Sequence, residues 1–419
     1  MIAGLVGLLL LAGAHSPGDT LSAVFWNLEN FFDWRNDSTS VSDADFSSRG
    51  SRRWTRRRFG TKCQGVAKTL LWSTSVTGRL PDIVGVAEVE NAFVLRRLLR
   101  DTPLRKLDYA FVHFDSPDRR GIDVALLYRK GELEVVDAKP CHLYDDSLRV
   151  MPTRDILLCR FRRRSRGSGS PENRYGHPGG GGGIGTGFGG DHRDNNGKDA
   201  GTRECAGGSG DFAVLVNHHP SKFGGAAESD ARRRAAVGRL RFLADSLSGL
   251  GVARILAFGD FNDTPANPLY KILEPRLMPL YGPVLGEGTI RFDGRWELID
   301  LAFASPVAPV SPVAPVSPVA PVSPASPVAP APATPGPTGW TGPMRILRPP
   351  FLRAPDRAHG GWKPLRTYTG PRYNGGLSDH CPIQVDLYMC TEKCFRLGKI
   401  STHTKESIEN SQIQLDVNK

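Results

Sequence analysis

The stretch "LAFGDFND", residues 256–263, joins a run of apolar side chains to a cluster of carboxylates and an amide. Residues 254–258 show no alternation of polar and apolar positions, which is typical of a strand buried on both faces of a sheet. Asp260, Asn262 and Asp263 follow at the point where this strand ends. The stretch therefore predicts a buried strand whose carboxyl end presents acids and an amide, as in a layered α/β domain.

The rest of the chain supplies more strands of this kind. Strands are predicted at residues 21–26, 82–89, 109–114, 122–128, 133–136, 156–161, 212–217, 297–304 and 383–387. Helices are predicted at residues 63–72, 92–99 and 226–247. Because strands outnumber helices and several strands are apolar throughout, we expect an α/β fold in which helices cover β-sheets.

Two stretches of low complexity interrupt this pattern. Residues 162–210 are rich in Gly, Ser, Arg, Asp and Asn, and residues 305–342 repeat the unit "SPVAPV". Neither offers the large apolar side chains that offset the cost of ordering a backbone. Insertions between strands cost little entropy, so we interpret residues 21–388 as one domain with two insertions. A spacer is the favoured role of the Pro/Val/Ala repeat, and a binding role is the alternative.

Both ends of the chain are predicted to lie outside this domain. Residues 1–18 begin with "MIAGLVGLLLLAGA", an apolar segment ending in small residues, which is typical of a secretory signal peptide. No Lys or Arg precedes the segment, and an unusually apolar first strand is the alternative. We expect a secreted or periplasmic monomer without a transmembrane segment. Residues 389–419 are polar and are predicted to be disordered.

The charge of the chain is strongly positive and partly concentrated in one place. The formal net charge is +11, and residues 49–58, "RGSRRWTRRR", contain six arginines and no acid. Such a patch suits a polyanion, phosphate backbones in particular. A solvated basic face is the alternative, and the sequence does not separate the two interpretations.

Carboxylates, amides and a histidine lie near the ends of several predicted strands. These positions are Asn27, Glu88, Asp260, Asn262, Asp263, Asp300, Asp379 and His380. One buried acid can be a structural residue, but five such strand ends favour convergence on a single site. Oxygen ligands suit Mg²⁺, with Mn²⁺ or Ca²⁺ as alternatives, and the seven cysteines lack zinc-site spacing. Such a site would hydrolyse phosphate esters with metal assistance, and a histidine would handle protons or bind a phosphoryl oxygen.

In this order, the motifs resemble those of the endonuclease/exonuclease/phosphatase superfamily, which includes deoxyribonuclease-like metal-dependent phosphoesterases. The resemblance covers about residues 21–161, 211–304 and 344–388, and the stretches "RGIDVALLYR" (120–129) and "NHHPSK" (217–222) resemble bacterial members. It implies a four-layer α/β sandwich of two mixed β-sheets flanked by helices.

The resemblance also implies roles for the metal side of the site. Glu88 would be the principal metal ligand, with Asn27 beside it and Asp379 as a second carboxylate. Asp260 and Asn262 would position the attacking water and the phosphate.

Two histidines would act at the scissile phosphate. His380 would lie on it, oriented by Asp300. His218 would be the second catalytic histidine, with Asp155 as its acidic partner, while His219 would point away from the site.

The expected function is divalent-metal-dependent hydrolysis of phosphate esters, with nucleic-acid phosphodiesters as the leading substrate of an endonuclease or exonuclease. A phosphatase or a phospholipase-like phosphodiesterase for small or lipid phosphates is the first alternative. A catalytically silent polyanion-binding protein is the second. Substrate choice in the superfamily lies in loops, so the two insertions leave the substrate open.

Overall fold

The computed structural model describes residues 20–37, 40–164, 211–221, 226–282, 287–307 and 338–389. The predicted signal peptide, most of both predicted insertions and all but the first residue of the predicted tail lie outside the described residues. Within the described part of the chain, no helix has the length and apolar character needed to cross a membrane.

The described residues form helices and strands close to the predicted positions. The helices are α1 (Arg56–Trp72), α2 (Thr74–Thr77), α3 (Ala92–Arg100) and α4 (Ala226–Gly249), with 3-10 turns at Pro103–Lys106, Pro268–Leu273 and Pro350–Leu352. The strands are β1 (Thr20–Phe31), β2 (Ile83–Val89), β3 (Tyr109–His113), β4 (Asp123–Arg129), β5 (Leu133–Cys141), β6 (Ile156–Arg163), β7 (Asp211–His218), β8 (Ile255–Asp260), β9 (Met278–Pro279), β10 (Ile290–Phe292), β11 (Arg295–Glu297), β12 (Asp300–Ala304), β13 (Arg345–Ile346), β14 (Arg353–Pro355), β15 (Trp362–Pro364), β16 (Tyr368–Thr369), β17 (Arg372–Tyr373) and β18 (Ile383–Tyr388).

The longer strands form two six-stranded sheets. The first has the order β13-β18-β1-β2-β4-β3, and the second has the order β5-β6-β7-β8-β12-β9. The pairs β1/β2 and β7/β8 are parallel, and the neighbouring pairs β1/β18 and β8/β12 are antiparallel. Both sheets are therefore mixed, as predicted.

The two sheets pack face to face, and helices cover their outer faces. Side chains between the sheets include Phe25 and Phe258, whose ring centroids are 5.7 Å apart. Gly85 lies against the Phe258 ring, where a Cβ atom would come within 2.1 Å of a ring carbon. Apolar residues of α1 and α3 pack on the outer face of the first sheet, and those of α4 pack on the second. The predicted four-layer sandwich is confirmed.

Strand direction decides which strand ends lie together. Because β1 and β2 are parallel and β18 is antiparallel to β1, the carboxyl ends of β1 and β2 lie beside the amino end of β18. In the second sheet the carboxyl ends of β7 and β8 lie beside the amino end of β12 for the same reason. The polar motifs of the sequence therefore meet at one end of each sheet.

The described residues at both edges of the predicted insertion 305–342 belong to the folded domain. The Val307 backbone N–H donates to the Thr338 carbonyl oxygen at 2.9 Å. Trp340 is 2% exposed, and its Nε1 donates to the Ser305 carbonyl oxygen at 2.9 Å. The Ser305 hydroxyl donates in turn to the Ala253 carbonyl oxygen. The part of the repeat that can be removed without disturbing these contacts is therefore residues 308–337.

We expect replacement of residues 308–337 by a short Gly/Ser linker to leave the melting temperature almost unchanged, because Val307 and Thr338 are already neighbours and the repeat lacks bulky apolar residues. Trp340→Ala is the contrasting variant, and it should lower the free energy of unfolding by about 3–5 kcal/mol, since it empties a buried site. Thermal and urea unfolding measure both. A deletion as damaging as Trp340→Ala would show that the repeat packs against the domain.

Candidate functional site

Three polar residues form one row across the second sheet. His218 at the end of β7 pairs with Asp260 on β8, and Asp260 pairs with Asp300 on β12. All three are at most 4% exposed. His218 Nε2 is 3.6 Å from Asp260 Oδ2. The backbone register therefore brings a histidine and two carboxylates together, because directly paired residues point to the same face of a sheet.

His380 completes this row from the first sheet. Its Nδ1 lies 2.8 Å from Asp300 Oδ2, which is the predicted pair, and its Nε2 lies 3.8 Å from Asp260 Oδ2. Trp26 Nε1 donates to the His380 carbonyl oxygen and fixes the backbone. Burial opposes a charged imidazole, but the carboxylates of Asp300 and Asp260 outweigh it and raise the pKa of His380 well above its usual value.

The opposite holds for His218. Burial, together with the positive charges of Arg154 and Arg120, lowers the pKa of His218 well below its usual value. Its Nδ1 has no hydrogen-bond partner among the described residues. Asp260 thus lies between a histidine whose surroundings favour the neutral ring and one whose surroundings favour the charged ring. Burial raises the pKa of Asp260 itself to about 7.

The prediction that Asp155 is the acidic partner of His218 is wrong in this structure. Both carboxylate oxygens of Asp155 lie 2.9 Å from Nδ1 of His142 instead. The reason is the β5/β6 ladder, in which Cys141 pairs with Ile156, so that the next residues along each strand, His142 and Asp155, become neighbours. Asp155 therefore orients a half-exposed histidine that the sequence interpretation did not consider.

His219 packs into the core behind the row. It is 1% exposed, its ring centroid is 4.5 Å from that of Phe261, and burial lowers its pKa to about 3. Only its backbone faces the site: the His219 carbonyl oxygen accepts from Asn262 Nδ2 at 2.9 Å and from Arg154 Nη2 at 2.7 Å. Asn262 is also held by its backbone N–H, which donates to Asp260 Oδ1 at 2.9 Å. The histidine ring is structural, and its backbone positions Asn262.

The ends of β1 and β2 are irregular where they reach the site. Between Asn27 and Phe31 of β1, four steps along the chain match the two steps between Ala87 and Val89 of β2. Asn27 therefore lies within β1 and not after it, and its Nδ2 donates to Asp260 Oδ2 at 3.0 Å. Bulges of this kind redirect side chains at sheet ends.

Four residues of the site have positive φ: Glu29 (45°), Asn30 (51°), Glu88 (61°) and Asn262 (51°). A left-handed backbone costs a non-glycine residue of the order of 1–3 kcal/mol and persists only where the surrounding contacts enforce it. Here the contacts are visible: the Asn30 N–H donates to Glu88 Oε2 at 2.7 Å, and the Glu29 N–H donates to Asn27 Oδ1 at 2.9 Å. One of the strained positions, Glu88, is a predicted metal ligand, and another, Asn262, is predicted to position water and phosphate.

Glu88 and Asp379, the predicted metal-side carboxylates, each lie beside an arginine. Glu88 Oε1 is 3.4 Å from Arg120 Nη2 and 3.9 Å from His218 Nε2. Asp379 Oδ2 is 3.0 Å from Arg366 Nη2. Both carboxylates thus border the row of His218, Asp260 and His380, because Asp379 Oδ1 is also 3.9 Å from His380 Nε2.

Glu29 and Arg366 are site residues that the sequence interpretation missed. Glu29 Oε1 is 3.1 Å from Arg366 Nε, so that Arg366 bridges Glu29 and Asp379. Burial first, and then repulsion from Asp379, raises the pKa of Glu29 to about 7. Glu29 could have been found, because it lies two positions after Asn27 in "NLEN", whereas Arg366 lies in a loop with no recognisable pattern.

Lys62 ties this part of the site to the loop before His380. It is 1% exposed, and its Nζ donates to the Glu29 carbonyl oxygen at 2.6 Å and to Thr367 Oγ1 at 2.8 Å. Burial lowers its pKa to about 8, against the attraction of Glu29. The buried cation compensates part of the negative charge that collects there.

Three groups of described side chains lie close enough together to hold a metal ion. They are His113 with Asp115 and Asp123; Asp37 with Asp43 and Glu90; and Asp260 with Asp300 and His380. The third overlaps the predicted catalytic residues. Glu88 and Asp379 belong to none of the three, and each lies beside an arginine side chain.

The chain matches the model of the Endonuclease/Exonuclease/phosphatase family over residues 22–164 and 205–305, more than half of its length. A comparison with curated proteins finds no match.

Similar solved structures are distant in sequence. An endonuclease/exonuclease/phosphatase family protein from Bacteroides thetaiotaomicron is 15% identical with a TM-score of 0.44, covering 88% of this chain and 97% of that one. The human Nocturnin catalytic domain with bound sulfate is 14% identical with a TM-score of 0.45, covering 89% and 96%. A mannosyl-6-phosphatase of Bacteroides thetaiotaomicron is 15% identical with a TM-score of 0.44, covering 88% and 99%.

The family assignment rests on the sequence match, which includes the segments carrying Asn27, Glu88, His218, Asp260 and Asp300. The chain belongs to the Endonuclease/Exonuclease/phosphatase family.

Proposed function

We propose that this protein is a divalent-metal-dependent hydrolase of phosphate esters and that it cleaves nucleic-acid phosphodiesters. The observation that supports it most is the pair of histidines on either side of Asp260. His380 Nε2 and His218 Nε2 lie 3.8 and 3.6 Å from the same carboxylate oxygen, and the surroundings favour charge on the first and neutrality on the second. One site thus contains a proton donor and a proton acceptor.

The residues on the metal side fit a hard divalent cation. Glu88 and Glu29 offer carboxylate oxygens at strained strand ends. Burial first, and then the negative charge of Asp379, keeps the pKa of Glu29 raised despite Lys62 and Arg366. Oxygen donors of this kind suit Mg²⁺, and Mn²⁺ or Ca²⁺ share the preference. We expect Glu88 to be the principal ligand, with Asn27, Glu29 and Asp379 around it. When bound, such an ion supplies Lewis-acid polarisation of a phosphoryl oxygen and activation of water.

The chain's own groups have separate roles in this proposal. His380, held by Asp300 through Nδ1, presents Nε2–H to a phosphoryl oxygen and stabilises the charge that develops there. His218, neutral and buried, accepts a proton or a hydrogen bond on the other side. Asn262 is tied to Asp260 and to the His219 backbone, which fixes its position for a phosphate or water.

Charge favours a polyanionic substrate over a small phosphate. The chain has a net charge of +11. Arg53, Arg56 and Arg57 of the arginine-rich segment are exposed, and none of them forms an ion pair with a carboxylate among the described residues. Unpaired surface arginines suit phosphate backbones. Export from the cytoplasm is also part of the proposal, and it rests on the apolar residues 1–18 alone.

A substrate panel tests the proposal directly. We expect purified protein to cleave plasmid DNA or RNA and bis-p-nitrophenyl phosphate in the presence of Mg²⁺, and to lose this activity in EDTA. Cleavage of phosphomonoesters alone would favour the phosphatase alternative. Binding of DNA with no turnover on any substrate, with Mg²⁺, Mn²⁺ or Ca²⁺, would support a catalytically silent polyanion-binding protein.

Glu88→Gln should reduce turnover at least about a hundredfold, because loss of a principal ligand removes several kcal/mol of transition-state stabilisation. It should also abolish the rise in melting temperature that Mg²⁺ produces in the wild-type protein, since only the folded state binds the ion. Glu134→Gln, at an exposed position of β5, is the matched control. Wild-type Mg²⁺ stabilisation in Glu88→Gln would remove Glu88 from the metal side.

His218→Ala and His380→Ala should each lower turnover of one phosphodiester by about two to four orders of magnitude, as positioned proton transfer is typically worth. His219→Ala should lower it by less than about tenfold, because its ring packs on Phe261 outside the site. Asp300→Asn should resemble a weaker His380→Ala, and adding it to His380→Ala should change little. The assignment fails if His219→Ala is the crippled variant and His218→Ala retains activity.

A further inference from the structure

A cavity of about 140 Å³ opens beside the strained end of β1. It lies between that strand end, the segment before α1 and the loop that carries Arg366. The lining residues that matter here are Glu29, Asn30, Phe46, Arg52, Arg366 and Tyr368. Three of them, Glu29, Asn30 and Arg366, also border the proposed catalytic site, so the cavity lies next to it.

Arg52 is held in a defined position in the wall of this cavity. Its guanidinium carbon lies 5.7 Å from the centroid of the Phe46 ring and 5.4 Å from that of Tyr368. Its Nη1 donates to the Gly370 carbonyl oxygen, and its own carbonyl oxygen accepts from the Tyr368 hydroxyl at 2.8 Å. Two nearly buried aromatic rings and one hydrogen bond therefore order the guanidinium before any ligand arrives, and the second hydrogen bond orders the Arg52 backbone, which lowers the cost of binding.

The charge of Arg52 is not neutralised locally. Among the described residues no carboxylate forms an ion pair with it, whereas Arg366 is balanced by Glu29 and Asp379. The lining side chains thus comprise two arginines and one glutamate, a net charge of +1. An ordered guanidinium that has no carboxylate partner and lies beside a site for phosphate esters is well suited to bind a second anion.

We propose that this cavity binds a second phosphate group of the substrate, adjacent to the one that is cleaved. Arg52 supplies charged N–H donors, and Asn30 supplies an amide at the edge shared with the catalytic site. A polynucleotide provides such a group as a neighbouring internucleotide diester or as a terminal monoester. The inference rests on the proposed function for its orientation, and it explains why a polyanion would be preferred over a phosphate ester with a single phosphate.

Binding measurements test the subsite without relying on turnover. Calorimetry in EDTA, where no cleavage is expected, compares thymidine 3′,5′-bisphosphate with both thymidine monophosphates, which adds a terminal monoester. It also compares d(TpTpT) with d(TpT), which adds an internucleotide diester. In the wild-type protein one of these additions should lower Kd about tenfold, the effect of one hydrogen-bonded charge pair. Arg52→Met should remove that gain and leave the Kd of the compounds without the added phosphate within about twofold.

Arg100→Met, at an exposed arginine on α3 away from the cavity, is the control and should keep the full gain. The melting temperature shows whether Arg52→Met folds. If it does not fold, Arg52→Gln is used as a second variant. The proposal is overturned if neither addition tightens binding to the wild type, or if the gain survives at full size in a folded Arg52 variant. Turnover of plasmid DNA, RNA and bis-p-nitrophenyl phosphate with Mg²⁺ is measured in parallel: no turnover on any of the three, together with an Arg52-dependent gain, would refute the proposed function and leave the phosphate subsite standing.

Discussion

The register of three neighbouring strands is the constraint on which the rest of the site depends. Because Asp260 pairs with His218 on one side and with Asp300 on the other, a buried carboxylate has a histidine and a second carboxylate as immediate neighbours. His380 then enters from the opposing sheet and bonds Asp300. A one-residue slip of β7 would replace His218 by the core residue His219, since successive side chains of a strand point to opposite faces. The strand register thus determines both which histidine faces the site and how the second sheet packs.

This arrangement gives the two histidines different chemistry without different intrinsic properties. Both are buried, and burial alone favours the neutral ring. His380 has three carboxylates within 4 Å, and Asp300 is the nearest at 2.8 Å, so its charged form is favoured. His218 has carboxylates no nearer than 3.6 Å, and the positive charges of Arg154 and Arg120 add to burial in favouring its neutral form. The same logic operates on the metal side, where burial and the charge of Asp379 raise the pKa of Glu29 more than Lys62 and Arg366 lower it. A phosphate ester would bring negative charge to the histidine side, and a divalent cation would bring positive charge to the carboxylates of the metal side. The proposed function therefore follows from the electrostatics and not from the fold alone.

Much of this could be predicted from the sequence where a local pattern carries the information. The apolar strands were sufficient for a layered α/β fold, whereas the four-layer sandwich and the Asp300–His380 pair came from the family resemblance that the order of the motifs carries. Asp155 was assigned to the wrong histidine because its partner depends on strand pairing. The pairing of β5 with β6 brings His142 beside Asp155, and no local sequence pattern predicts that pairing. Asn27 was placed after its strand because the bulge opposite Glu88 leaves no mark in the apolar pattern. Arg366 and Arg120 reach the site from loops, whose course no periodicity predicts.

The most direct test of this account is the protonation of His218 and His380, measured by ¹⁵N NMR of the imidazole rings in metal-free protein across pH 5–9. The account predicts that His380 stays doubly protonated as pH rises above its usual value near 6.5, since its pKa is raised, and that His218 stays neutral as pH falls below it, since its pKa is lowered. In Asp300→Asn, the charge on His380 should be lost at a lower pH than in the wild type. If both rings titrate together near pH 6.5, or if His380 is neutral at pH 7, the two histidines are equivalent and the proposed division of roles at Asp260 is contradicted.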